Sequence, residues 1–427
     1  GEALDRLAAG QGPALPANTG PEGAKPAMRQ ADRAIDWAHE PTDLVLAKIR
    51  AADGQPGVRD RLGACEAWLH DAHPAPGRSG PPGALIGRSG EAVLRATADG
   101  AVWLGALKVP LPGTDRTVKL PAARALGLVG HPLPPETDGA DAPRRVTTER
   151  RGEVALIRFP FLNGAMNIAR CRALEAAVRE AAAGPAKAIL LAGGEDFWSN
   201  GIDLASIEAA ESPAEASMET IQAMDDVCLA ILEARETWTV AAMRGNAGAG
   251  GVFMALAADE VLAREGTVLN PHYRNMGNLY GSEYWTFLLP RRLGAEGARA
   301  LMDTRTPLSA AGAAAMGLVD AALPGGPKVF LEAALQRTAD TVAAPDFPDR
   351  LAARAAQRSA DEARKPLSAY RAEELARMRL NFFGFDTSYH VARFDFVTRT
   401  PHARTPLHLA RHRRGPAGPD GVAAQDM

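Results

Sequence analysis

The run "TWTVAAMRGNAGAGGVFMALAADE", residues 237–260, constrains the fold more than any other part of the chain. A strand-like apolar stretch turns through four glycines in seven residues (Gly245, Gly248, Gly250 and Gly251) and resumes as an apolar, uncharged helix start. A strand that feeds such a turn must bury both of its faces, as strands do in a parallel sheet covered by helices. The neighbouring text agrees. "EVALIRF" reads as a strand, "ARCRALEAAVREAAAG" as a helix and "AKAILLAGG" as a buried strand, followed by a long helix over 214–234. Alternation of this kind predicts an α/β core.

Three uses of the glycines compete. A phosphate-cradling loop needs Lys and Ser/Thr after its last glycine, and Val252 stands there instead. A dinucleotide fingerprint needs G-x-G-x-x-G with an acid some 20 residues on, and neither the spacing nor Asp259 fits. The third use is a pair of bare backbone N–H groups that face an acyl oxygen and stabilise an oxyanion. A plain strand–helix turn is the bland alternative. The second donor of such a pair would come from "GGEDFWSNGIDLASI", 193–207, where Asn200-Gly201 makes a turn.

The ordered pair "FWSNGIDL" and "VAAMRGNAGAGG", with "LSAAGAAAMGLVDAALP" closing the block, resembles the enoyl-CoA hydratase/isomerase (crotonase) superfamily over roughly residues 146–330. The resemblance implies a spiral ββα core, oligomers through that domain and an acyl-coenzyme A substrate. It further implies that the N–H groups of Asn200 and Gly250 hold the thioester oxygen. Phe197, Trp198, Ser199, Gly201, Asp203 and Gly251 would then border the bound coenzyme A. The pattern departs from the hydratases at both of their glutamates. Phe253 and His272 stand in those positions, so hydration of an enoyl-CoA is not expected. "NMGNLYGSEYWTFLLPRRLG", 275–294, stands where the superfamily lines its acyl pocket, with Tyr280, Glu283, Tyr284 and Trp285 around an expected Gly-Ser helix start. Tyr280 and Glu283, three residues apart, form a candidate proton relay. Aromatic core packing, with Glu283 as a first-turn acid, is the alternative.

This variant segment is similar to the HypX/HoxX family of NiFe-hydrogenase maturation proteins. "DRAIDWAHEPTDLVLAKIRAADGQPG", expected to open on a short strand and continue as a helix with Leu44, Ala47 and Lys48 on one stripe, leads into Gly/Pro-punctuated alternating runs from Cys65 to Leu120. That text looks like the small β-barrel C-terminal domain of formyltetrahydrofolate-using formyltransferases, which precedes a crotonase domain in that family. The layout expected is therefore a linker or the tail of an upstream formyltransferase domain (1–29), a formyltransferase C-terminal-like β-barrel (30–132) and a linker (133–145). A crotonase-like domain (146–326), a helical segment (327–400) and a disordered tail (401–427) follow. The resemblance implies that a formyl group passes from formyltetrahydrofolate to coenzyme A, and that the crotonase-like site decarbonylates formyl-CoA to give the carbon monoxide ligand of the hydrogenase iron. The catalytic domain for the first step is not legible in this sequence, so the second half-reaction is expected here. Hydrogenase maturation machinery is the expected partner. Rival expectations are a hydrolase or isomerase acting on another acyl-CoA, and a non-catalytic coenzyme A scaffold.

Composition narrows the field further. A net charge of -3 gives no general attraction to nucleic acid, and the barrel strands lack interleaved basic and aromatic residues. Cys65, Cys171 and Cys228 form no close pair, which fits a cytoplasmic chain without a disulfide framework or metal site. No run is apolar and long enough to span a bilayer.

Overall fold

The computed structural model describes residues 28–400 apart from 140, 144 and 145. The tail at 401–427 and nearly all of the expected segment 1–29 therefore lie outside the described residues.

Residues 31–33 form a 3-10 turn rather than the expected strand. Helix α1 (Thr42–Ala51) buries Val45, Leu46 and Ile49. Leu44 and Ala47, expected on its inner stripe, face solvent, because the barrel side of the helix is one residue further round. Six antiparallel strands follow: β1 (Val58–Leu62), β2 (Cys65–Pro74), β3 (Leu85–Ser89), β4 (Ala92–Ala96), β5 (Ala101–Pro110) and β6 (Thr117–Pro121). They pair in the order β1-β2-β5-β4-β3, and β5 divides its other edge between β4 and β6. That fork lets the sheet curl over α1 and α2 (Ala122–Leu128), whose apolar residues join Leu69, Leu104 and Leu107 in one core.

The second unit is a spiral in which each turn gives one strand to each of two sheets. The large sheet runs β16-β13-β11-β9-β8-β7 through β7 (Thr147–Arg151), β8 (Val154–Phe159), β9 (Ala188–Gly193), β11 (Trp238–Met243), β13 (Glu260–Arg264) and β16 (Ala321–Leu323). The small sheet runs β10-β12-β14-β15 through β10 (Phe197–Ser199), β12 (Asn246–Gly248), β14 (Val268–Asn270) and β15 (Leu308–Ser309). Pairing within the large sheet is parallel except at β7. Its strands alternate between two apolar layers, as a period of 2 requires. Ala155, Ile157, Leu191 and Ala241 meet α3 (Ile168–Ala183) and α5 (Pro213–Glu233), while Val154, Leu156, Leu190 and Val240 meet α9 (Pro327–Ala343).

Between these lie α4 (Leu204–Glu208), α6 (Gly250–Leu256), α7 (Trp285–Thr304) and α8 (Ala310–Ala315). The C-terminal text forms α10 (Phe347–Arg364), α11 (Leu367–Phe383) and α12 (Ser388–Thr398), with Pro366 separating the first two. Phe382 and Tyr389 join the core of the spiral with ring centroids 4.9 Å apart. The two units are pinned together. Ala205 of α4 and Phe394 and Val397 of α12 pack on the barrel core, Arg170 bonds Glu91 at 3.1 Å and Arg124 donates to the Ser206 carbonyl at 2.6 Å. No helix among the described residues is long and apolar enough to cross a membrane.

Candidate functional site

A cavity of about 940 Å3 runs from the barrel to the glycine turn. Its inner end is lined by Asn200, Gly201, Ile202, Gly248, Ala249, Gly250, His272, Tyr273 and Glu283, and its outer end by Gln55, Lys108, Lys119 and Arg399. Phe197 and Asp203 also face it.

The turn is built for close approach. Ala249 holds a positive φ of 45° before α6, a conformation that is uncommon without glycine and clusters at functional sites. A Cβ on Gly251 would overlap the Ser199 carbonyl, and one on Gly250 would overlap the Glu283 carboxyl. Trp198 is fully buried and donates its indole N–H to the Gly251 carbonyl at 2.8 Å. Ser199 accepts from Gly201 N–H at 3.1 Å, and Asp203 caps α4 through Ser206. These three side chains hold the two halves of the site in place.

One expectation is corrected. The Asn200 N–H donates to the Gly164 carbonyl at 2.8 Å, so it is not available to a ligand. Two residues on, Ile202 forms a parallel bridge with Met166 through Gly201 O and Asp203 N. In such a bridge the residue's own N–H points away from its partner strand. Neither Ile202 N–H nor Gly250 N–H meets a carbonyl among the described residues. Asn200 contributes its side chain instead, which donates to the Asn163 carbonyl at 2.8 Å.

The expected relay is corrected in the same way. Helix α7 begins at Trp285, not at the Gly-Ser pair, because Glu283 and Tyr284 both take the left-handed conformation (φ 63° and 57°). Tyr280 consequently stands apart from Glu283 and is 37% exposed. The phenol that reaches Glu283 is Tyr273, whose hydroxyl donates to Oε2 at 2.6 Å. The aromatic rings form a row. Tyr273 stacks on Phe253 at 5.5 Å, Phe253 lies 6.4 Å from Trp285, and Trp285 lies 5.4 Å from Tyr280. Tyr284 is buried on the far side of the turn, next to α5 and α10. Sequence reasoning missed Tyr273, although Gly281 carried a signal. At φ 94°, with the Tyr273 ring lying where its Cβ would be, that position admits only glycine.

Two further buried acids hold this turn. Asp225 of α5 accepts the Glu283 N–H at 2.8 Å and the Ser282 hydroxyl at 2.8 Å. Glu374 of α11 accepts the Tyr284 and Thr286 N–H groups at 2.9 and 2.8 Å. Arg371 lies 3.6 Å from Asp225 and 2.6 Å from Asp226, so Glu283 and Glu374 sit in this water-poor interior without an ion-pair cation of their own among the described residues. Burial first, and Asp225 second, push Glu283 up to about 8. Burial likewise raises Asp225 to about 7 and Glu374 to about 8, and it holds Tyr273 well above the ordinary phenol range. Glu283 can therefore gain and lose a proton near neutrality, while Tyr273 stays a donor.

His272 donates Nε2–H to the Thr306 carbonyl at 3.1 Å, and its Nδ1 is buried without a partner among the described residues. Burial lowers its pKa, which keeps the ring neutral. Lys108, Lys119 and Arg399 supply positive charge to the outer end of the cavity; burial, then Arg399 and Lys119, lower the pKa of Lys108, and burial lowers that of Lys119 against the opposing effect of Asp53.

Residues 151–379 match the enoyl-CoA hydratase/isomerase family and residues 27–114 the formyl transferase C-terminal domain. The chain is 48% identical to the hydrogenase maturation factor HoxX of Bradyrhizobium diazoefficiens over 427 residues, covering 99% of this chain and 74% of that protein. It is also similar to the crystal structure of HypX from Aquifex aeolicus in complex with tetrahydrofolic acid, with a TM-score of 0.85 and 43% identity over 91% of this chain and 70% of that one. An enoyl-CoA hydratase from Bacillus halodurans shares the fold at a TM-score of 0.51 and 20% identity, over 59% of this chain and 99% of that one.

Proposed function

The chain belongs to the HoxX/HypX family of hydrogenase maturation factors, and from that premise we propose that its cavity binds formyl-CoA and decarbonylates it to carbon monoxide and coenzyme A, supplying the CO ligand of a NiFe-hydrogenase. The observation that carries this reading is the Tyr273–Glu283 pair, set against Gly250 at the closed end of a long cavity, with Phe253 in place of a second acid. A hydratase needs two carboxylates to activate water and move a proton. Loss of CO needs one group that takes a proton from carbon and returns it to sulfur.

In the proposed reaction the formyl oxygen lies against the Ile202 and Gly250 N–H groups, which stabilise charge on it as it develops. The ionised Glu283 carboxylate accepts the formyl hydrogen as a proton, and the C–S bond breaks with its electrons on sulfur. The same proton then passes from Glu283 to the thiolate. One C–H and one C–S bond break and one S–H bond forms, so no oxidant or reductant is required. Tyr273, donating to Oε2, fixes the carboxyl toward the substrate, and Phe253 keeps water from diverting the reaction to formate.

The outer end of the cavity suits the rest of coenzyme A. Lys108, Lys119 and Arg399 offer three cations to phosphate groups, and the pantetheine arm would run through the cavity between them and Glu283, all four of which line it. The formyl group would reach coenzyme A from formyltetrahydrofolate, through a formyltransferase active site of the kind the family places ahead of the barrel.

The test is product identity. The purified chain is incubated with formyl-CoA, with CO trapped as carboxyhaemoglobin and formate assayed in parallel. We expect CO and free coenzyme A in equal amounts, at a rate that falls to background in Gly250→Pro. Formate without CO would replace this reading with that of an acyl-CoA hydrolase.

A further inference from the structure

A separate cavity of about 190 Å3 lies under α10, between α7 and the C-terminal end of α6. Trp238, Asp259, Phe287, Arg291, Arg354 and Arg358 are among its lining residues. Three of these carry a buried donor that has no hydrogen-bond acceptor among the described residues: Trp238 Nε1, Arg354 Nε and Arg358 Nη1. Most buried polar groups are hydrogen-bonded, so three orphan donors around one cavity call for an acceptor.

The acids nearby are already engaged. Asp259 accepts the Thr239 N–H and hydroxyl, both at 2.9 Å, and lies 3.6 Å from Arg354 Nε. Asp361 pairs with Arg291 and Arg364, and Asp320 with Arg292. Arg354 anchors its other nitrogens on the Ala234, Arg235 and Thr237 carbonyls. Arg358 is left with no ion pair and no hydrogen bond among the described residues. Burial, opposed only by Asp259 and reinforced by Arg291 and Arg354, lowers its proton affinity to about 10. Arg358 is half-buried, with Nη1 taken fully out of water, and a shielded guanidinium nitrogen without a partner is unfavourable.

We propose that this cavity is a binding site for one small oxyanion, a phosphate or carboxylate group, held by the Arg358 guanidinium together with the Trp238 and Arg354 N–H donors. Its volume is below the roughly 300–1,000 Å3 of sites for drug-sized ligands, which limits the occupant to a single such group or the tip of a larger molecule. Arg358 and Phe287 also line a second small cavity, which reaches Tyr284 beside Glu283. The site therefore lies behind the proposed catalytic turn, separate from the large cavity. It does not depend on the identity of the acyl group handled there.

The test is calorimetric titration of the full chain with sodium phosphate and, separately, with sodium acetate at constant ionic strength, alongside thermal unfolding in anion-poor buffer. Saturable one-site binding is expected. Arg358→Met should weaken it at least tenfold without lowering the unfolding midpoint, since the variant removes an unpaired, half-buried charge. Trp238→Phe keeps an aromatic ring but removes the Nε1–H donor, and should weaken binding severalfold. Phosphate-selective binding identifies a phosphate group, and acetate-selective binding a carboxylate. Three outcomes would overturn the proposal. These are no saturable binding of either ion, binding unchanged in Arg358→Met but lost in Arg399→Met, and an Arg358→Met protein that is less stable without the ion.

Discussion

A carboxyl group 1% exposed, bonded to one phenol and neighboured by a second buried acid, has a proton affinity set by its surroundings. For Glu283 those surroundings raise the pKa from 4.5 to about 8, burial contributing most and Asp225 next. At pH 7 the group is mostly protonated, and its basic form grows as pH rises through 8. The rate of CO release should therefore climb about tenfold per pH unit below that value and level above it. Asp225→Asn retains an oxygen acceptor for the Glu283 N–H and removes the like charge, so the rising limb should move to lower pH. A pH–rate profile of both proteins checks this, and a limb that stays in place would assign the titration to another group. Tyr273 was missed from the sequence because its partner lies ten residues away, across a loop whose path depends on left-handed backbone at Gly277, Asn278, Gly281 and Glu283. Helical spacing pointed to Tyr280 instead, and it is helical geometry that fails at this point.

The element that makes the site is the turn from Ser282 to Tyr284, which neither strand nor helix propensity can specify. Non-glycine residues in the left-handed region cost about 1–3 kcal/mol each, and here two in succession are held by carboxylates reaching in from α5 and α11. Both acids have raised pKa values, so the folded state keeps protons that the unfolded chain releases near 4 to 4.5. Stability should then fall as pH rises across the window from about 4.5 to 8. Glu374→Gln should flatten that fall by up to one proton, about 1.4 kcal/mol per pH unit, which urea unfolding at a series of pH values would detect. An unchanged slope would mean that Glu374 is ionised throughout. The large-sheet strands were readable because apolar residues on both faces leave a strand no other environment, and α10 and α11 because Pro366 ends one amphipathic run before the next. Helix α1 was placed correctly but turned by one residue. Its inner stripe depends on where the barrel lies, and one short helix carries too few apolar residues to fix that.

At the scale of the whole molecule, the barrel and the spiral contribute opposite ends of one cavity, cationic at the barrel and carboxylic at the glycine turn. The order of two unlike segments in the sequence made the architecture legible. The cavity between them was not, because Arg399 lies far along the chain from Lys108 and Lys119, which face each other across β5 and β6, and it meets them only when α12 packs on the barrel. Of the two proposed backbone donors, Gly250 is the one the glycines point to, whereas the assignment of the other to Asn200 failed on a single hydrogen bond to Gly164, which no sequence pattern records. In the proposed reaction Glu283 is the group that moves the formyl proton. The most direct measurement is CO release from formyl-CoA by the wild-type chain and by Glu283→Gln, with coenzyme A affinity determined for both. The prediction is a loss of CO production of at least a hundredfold with coenzyme A binding changed less than threefold. Equal CO output from the two proteins would contradict it.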